Sequence, residues 1–238
     1  MNDGYHAVGS ALSAVLRRLE VATKDVINAK TPGYQKHVLT TQSFASDLDR
    51  ELGRPGALVK TSENVAFIQG SLVPRASDSA IALKGPGFFA IETPDGTAYT
   101  RNGDLQIGAD GTLRTQAGYP VLGAAGPLRL TPALGAMRIE ADGAVLQGEA
   151  EVGRLRLVEF KDRKQLVPVA DTIFQDGGQA EPNPASETSV HQHYLELPRG
   201  STVSGMVEMI AAGRAFEAAQ RVAKVMDETH QRLVRQGQ

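Results

Sequence analysis

From Met209 onward, small and apolar side chains recur three and four residues apart by turns: Met209, Ala212, Phe216, Ala219, Ala223, Met226, His230 and Leu233. Such spacing holds one narrow stripe on one side of a helix. No proline interrupts the chain after Pro198. Glu217 and Arg221, Lys224 and Glu228, and Glu228 and Arg232 are opposite charges four apart, which supports the polar faces. A helix of about thirty residues at ~1.5 Å per residue is ~45 Å long, too long and too narrowly apolar for a small domain to cover. The same spacing opens the chain, at Tyr5, Val8, Leu12, Val15, Leu19, Ala22 and Val26. Pro32 and Gly33 end that helix, because proline disfavours α geometry at Thr31 and glycine accepts positive φ.

Between the two helical ends the period changes. Asp95-Gly96, Asn102-Gly103, Asp110-Gly111 and Asp142-Gly143 punctuate short β-rich runs, a strong hairpin signal. The runs include Phe88–Glu92, Ala98–Thr100, Leu105–Ile107, Thr112–Thr115, Met137–Glu140, Val145–Gln147 and Leu155–Phe160. The pattern predicts an α+β chain: long N- and C-terminal helices pairing as a coiled coil, with an inserted antiparallel all-β domain, a barrel or sandwich of hairpins. Its divisions are an N-terminal heptad helix over 1–32, an extended or β connection over 33–78, the β domain over 79–176, a linker and return strand over 177–201, and a C-terminal heptad helix over 202–238. In the connection, Ser46-Asp47-Leu48-Asp49 caps a short helix ending at Gly53, and Arg54-Pro55-Gly56 is a turn. Tyr194-Leu195-Glu196-Leu197 is the return strand, and Ser201 caps the last helix.

Composition narrows the function. Basic and acidic residues number 25 and 27, so no nucleic-acid or acidic-lipid surface is advertised. With no cysteine, disulfides and thiolate metal sites are excluded. No apolar run approaches the roughly 20 residues of a membrane span. Acidic Asp3 and a polar-striped first helix do not make a secretory signal, so the sequence by itself points to the cytoplasm.

Candidate chemistry is sparse. His191 and His193 sit two apart, on one side of a strand, but no third ligand has suggestive spacing. Gly85-Pro86-Gly87 lacks the strand-to-helix context of a phosphate loop, and its proline removes an amide donor. The Asp-Gly pairs lack the acidic spacing of calcium loops. No nucleophile elbow occurs. Paired carboxylates such as Asp47/Asp49 and Asp227/Glu228 fall on helix surfaces, where solvated charge is the default. No catalytic residue, metal site or cofactor site is assigned.

Three stretches carry a resemblance. The first is Asn28-Ala29-Lys30-Thr31-Pro32-Gly33-Tyr34. The second is Gly85-Pro86-Gly87-Phe88-Phe89-Ala90-Ile91, with Tyr99-Thr100-Arg101-Asn102-Gly103 and Gly118-Tyr119-Pro120-Val121-Leu122-Gly123. The third is Met206-Val207-Glu208-Met209-Ile210 with Arg214-Ala215-Phe216-Glu217. In order and spacing they resemble the flagellar rod and hook family of axial proteins over nearly the whole chain. Length and the 142–160 segment are most similar to its proximal-rod members, with distal-rod members next. Departures fall at Lys24-Asp25, Ser77-Asp78-Ser79-Ala80, Pro198-Arg199-Gly200-Ser201, Gly213 and Ala219. A mid-helix Gly213 costs about 1 kcal/mol against alanine, which suggests close backbone packing there.

The resemblance implies a structural subunit of the bacterial flagellar basal-body rod, not an enzyme. Such a subunit serves flagellar motility, leaves the cytoplasm through the type III export apparatus, and assembles head to tail in the periplasmic space. The implied partners are other rod and hook-family proteins, copies of itself and the export apparatus, without nucleic acid or membrane insertion. The assembly residues expected on the two stripes are Val8, Leu12, Val15, Leu19 and Val26, with Met206, Met209, Ile210, Phe216 and Met226. Without the resemblance, a β binding module on a coiled-coil stalk fits the same pattern.

Overall fold

The computed structural model describes residues 2–44, 58–131, 135–178, 180–200 and 202–236, without the side chains of 2–8, 41–44, 58–60, 230, 233, 234 and 236. The short helix expected after Ser46, the turn at Arg54-Pro55-Gly56 and the cap at Ser201 lie outside these residues. The chain divides into two compact units. One comprises Met1–Ile27, His37–Asn64 and Gly200–Gln238; the other comprises Asn28–Lys36 and Val65–Arg199.

The first unit holds α1 (Asn2–Ile27), α2 (Thr202–Gln236) and most of a two-stranded sheet of His37–Phe44 and Leu58–Val65. That sheet is fastened to the last turn of α1. The His37 ring Nδ1 lies 2.6 Å from Glu63 Oε1, Lys24 Nζ lies 3.8 Å from the same oxygen, and the His37 amide donates to Asp25 Oδ1 at 3.4 Å. His37 and Asp25 are buried, so their polar groups need such partners.

The second unit is β throughout its core. Its largest sheet has six antiparallel strands among the described residues. In spatial order they are Leu166–Ala170, Ile173–Asp176, Gly96–Thr100, Phe88–Thr93, Leu157–Phe160 and Pro182–Pro184. Strand Phe88–Thr93 is covered on both sides, which explains its unbroken apolar run. Phe89 and Ile91 join one core with Ile81, Leu113, Val121 and Val145. Phe88 and Ala90 join the other with Tyr99, Phe160 and Phe174. There Phe88 meets Phe67, Phe160 and Phe174 edge to face, at centroid distances of 5.5, 5.8 and 6.2 Å, a favoured aromatic geometry.

Both edges of this sheet carry proline: Pro168 at one, Pro182 and Pro184 at the other. A residue without an amide donor is tolerated at an edge and discourages further pairing. Around the sheet lie smaller ones. A three-stranded sheet runs from Met137 to Arg154, and two-stranded ribbons include Ser71–Pro74 with Tyr194–Leu197 and Ile81–Lys84 with Ser189–Gln192.

Asp95-Gly96, Asp110-Gly111 and Asp142-Gly143 each connect paired strands. Thr112 and Arg114 hydrogen bonds hold the Asp110 carboxyl well below the usual carboxylate range. The backbone amide of Ala144 also lowers the pKa of Asp142. Asn102-Gly103 is different. Asn102 Oδ1 accepts from the Asp104 amide at 3.0 Å, and a Cβ on Gly103 would lie 1.6 Å from Ile81 O. Close approach of another strand, not a hairpin, is what the glycine provides there. The segment expected as a linker before His191 contains two short strands, Pro182–Pro184 and Ser189–Gln192.

The expected fold class is corrected on both counts. The β portion is no barrel or sandwich: its main sheet is open, and several small sheets surround it. The helices form no coiled coil. They are adjacent, but Leu12, Val15, Leu19, Met209, Phe216 and Met226 are only half-buried, and Met206 and Ile210 are exposed. A coiled coil inserts large residues into facing holes. Among the described side chains, burial is confined to Val21, Ala22 and Asp25 of α1 and to Gly205 and Ala212 of α2, and small residues provide no knobs. What results is a mostly antiparallel β body with a helix at each end of the chain.

Gly33 has φ +72°, and a Cβ there would lie 2.2 Å from the Asn102 amide nitrogen. Gly33→Ala therefore meets both a left-handed backbone penalty of roughly 1–2 kcal/mol and a backbone clash. Urea unfolding of the purified variant should show a loss of at least that size.

Candidate assembly surface

α2 carries two apolar stripes rather than one. The stripe from Met209 through Ala212, Phe216, Ala219 and Ala223 to Met226 is its less exposed side, half-buried throughout except at buried Ala212. The intervening Glu217, Arg221, Lys224 and Glu228 are exposed. Gly205 lets the start of α2 approach the end of α1: a Cβ there would lie 2.9 Å from Val26 Cγ2. Gly213, the glycine that the sequence marks for close packing, has nothing within 4 Å of where a Cβ would stand. The close approach falls two turns earlier.

The second stripe consists of Val203, Val207 and Ile210, then Val222 and Val225, all more than half exposed. At roughly 100° per residue its centre lies on the order of 160° round the helix from the first stripe. Met206, 46% exposed, lies on its flank. Arg214 and Arg221, both exposed, interrupt it. Single exposed apolar residues need no explanation, but a helical row of them marks a contact surface. On α1, Leu16 and Ile27 are also exposed, at 45% and 73%.

The structure thus separates the sequence-selected residues into two groups. Leu12, Val15, Leu19, Val26, Met209, Phe216 and Met226 are half-buried, whereas Met206 and Ile210 face solvent. The side chain of Val8 lies outside the described residues. Val203, Val207, Val222 and Val225 were missed. Their own three-and-four spacing with Ile210 was available, but the longer stripe on the other side dominated the pattern.

His191 and His193 do not converge. His191 Nε2 lies 3.3 Å from Ser189 Oγ, within a strand paired to Ile81–Lys84. His193 breaks the strand with φ 64°, and its Nδ1 lies 3.2 Å from the Ser77 carbonyl oxygen. Among the described residues no group of three or more His, Cys, Asp or Glu is arranged to hold a metal, and no helix is long and apolar enough to cross a membrane.

The two stripes make distinct predictions. Ala212→Asp places a charge at a position 1% exposed and should lower the far-ultraviolet helical signal. Val207→Asp changes an exposed position and should leave both the helical signal and the unfolding midpoint within experimental error, since such surface changes usually fall within about 0.5 kcal/mol.

Comparison with known proteins completes the picture. The family model for the flagellar hook protein FlgE/F/G D1 domain matches residues 82–147. The model for the flagellar basal body rod FlgEFG protein C-terminal region matches residues 191–236. The chain is similar to the flagellar basal-body rod protein FlgF of Caulobacter vibrioides, 30% identical over 239 residues, covering 95% of this chain and 94% of that protein. It is similar to FlgF of Salmonella typhimurium, 29% identical over 243 residues, covering 96% and 95%. It is also similar to the flagellar basal-body rod protein FlgG of Buchnera aphidicola subsp. Schizaphis graminum, 26% identical over 252 residues, covering 94% and 95%.

Proposed function

Because this chain belongs to the family of flagellar basal-body rod proteins, whose members are structural subunits and not enzymes, we propose that it joins the rod by docking its terminal helices onto neighbouring rod and hook-family subunits. The observation that carries this reading is the exposed row Val203, Val207, Ile210, Val222 and Val225, opposite the side of α2 that is already half-covered. A helix with apolar residues on both sides is satisfied only when a second neighbour arrives. Each Val or Ile covered contributes about 1.5–3 kcal/mol, so a few such contacts exceed the cost of ordering the side chains.

The half-buried stripe takes part as well. Leu12, Val15, Leu19 and Val26 of α1, with Met209, Phe216 and Met226 of α2, keep part of their apolar surface for neighbours; Val8 continues the α1 spacing, Ile210 belongs to the exposed row and Met206 flanks it. Contacts between unlike faces, repeated without closing on themselves, build an open helical array. The terminal segments gain much of their order on docking, because neither stripe alone buries enough to offset the roughly 1–2 kcal/mol per residue of backbone entropy. In this reading the subunit passes through the flagellar type III export apparatus and is incorporated where the rod crosses the periplasm.

Leu12→Asp and Ile210→Asp test it from the two sides. Each should abolish motility and remove the protein from isolated basal bodies, as read by mass spectrometry of rod fractions. The β body should stay soluble, with its thermal transition unchanged. Normal rods from both variants would overturn the docking proposal.

A further inference from the structure

Arg101 is a buried cation that the assembly reading does not use. Its side chain is 3% exposed and that of its partner Glu196 is 1% exposed. Arg101 Nε donates to Glu196 Oε2 at 2.9 Å across 95 residues of chain. Nη1 donates to Gly87 O at 3.2 Å, and Nη2 to Gly85 O at 3.0 Å and Gln69 Oε1 at 3.1 Å. The guanidinium carbon lies 5.7 Å from the centroid of the Phe88 ring. Every acceptor but one is neutral, so Glu196 alone balances the charge.

Glu196 also gathers two other stretches of chain. Its Oε1 accepts from the Gly70 amide at 2.8 Å, and its backbone carbonyl accepts from the Gly33 amide at 2.8 Å. Both glycines are obligatory on steric grounds. A Cβ at Gly70 would lie 1.9 Å from Leu197 O, and one at Gly33 would strike the backbone of Arg101 and Asn102. The segment leaving the first helix, the segment before Ser71, the Arg101 bend and the return strand therefore meet at one residue, Glu196, the first through its backbone carbonyl and the next two through its carboxylate.

We infer that the Arg101–Glu196 pair is a clasp whose closure holds Gly33 and Gly70 to the return strand, so that the two open together when the charge balance is broken. The pair goes beyond the docking reading and does not depend on it, since every residue in it lies in the β body's own unit. A buried ion left without its partner is strongly destabilising, whereas removing both charges is tolerated far better. Because Glu196 comes late in the chain, the clasp cannot close until the return strand has been delivered.

The test uses the full-length protein and amide hydrogen exchange at Gly33 and Gly70, with urea midpoints alongside. Arg101 bonds to neither glycine amide, so loss of their protection on changing Arg101 would report the clasp itself. Arg101→Met and Glu196→Gln should each speed exchange of both amides at least tenfold, by a similar factor, and lower the midpoint. Arg101→Met with Glu196→Gln keeps an acceptor for the Gly70 amide but removes both charges. It should recover most of the protection. Asp142→Asn, which breaks the exposed Arg154–Asp142 pair, should leave the two amides unchanged. If either single variant fails to fold, a folded double variant still supports the clasp, and a double variant that also fails overturns it. Effects that add in the double variant, or single variants in which Gly33 and Gly70 respond independently, would overturn it too.

Discussion

A guanidinium as deeply buried as that of Arg101 has to find its acceptors and its counter-charge inside the protein. Glu196 Oε2 at 2.9 Å provides the charge, and three oxygens from Gln69, Gly85 and Gly87 accept from the two terminal nitrogens. This requirement fixes much else. Gly85 and Gly87 turn their carbonyls toward Arg101 in the bend just before strand Phe88–Thr93, whose first side chain also lies against the guanidinium. Gly33 and Gly70 lack a Cβ because their neighbours at the same junction leave no room for one. Motifs that are far apart in the sequence are thus parts of one piece of local chemistry.

The division of labour between the units follows from composition. The β unit concentrates the aromatic residues. It buries Phe88, Phe89, Phe160 and Phe174 on the two sides of an open sheet whose edges are blunted by proline. It has enough apolar surface to close on itself. The helical unit is built from alanine, glycine and scattered larger residues, and leaves valines in water. A subunit made of one self-sufficient part and one unsatisfied part suits the docking we propose, in which the surface the monomer leaves uncovered drives assembly.

Glycine shows why a residue type is not a structural role. Gly213 attracts notice in the sequence as a helix-weakening residue that close packing would justify, yet the space around it is open. Gly205 is unremarked in the sequence and is the residue against which Val26 packs. Likewise Asn102-Gly103 has the composition of a hairpin turn, but its glycine is required by the carbonyl of Ile81, which comes from a strand more than twenty residues earlier. The cost of a Cβ depends on what stands opposite, and that is a tertiary property.

Periodicity by itself determined the two terminal helices, most of the strand positions and three of the turns, because these depend on neighbours within a few residues. Shared motifs carried the family. Heptad spacing could not determine how the helices meet: it places side chains on one face, while knob-into-hole packing depends on their size and on the partner, and here alanine and glycine stand where a coiled coil needs leucine. Nor could it show that the exposed valines form a second row, that six strands make an open sheet, or that Glu196 pairs with Arg101. Those are relations between residues tens of positions apart, and only the folded chain brings them within the few ångströms over which packing and hydrogen bonding act.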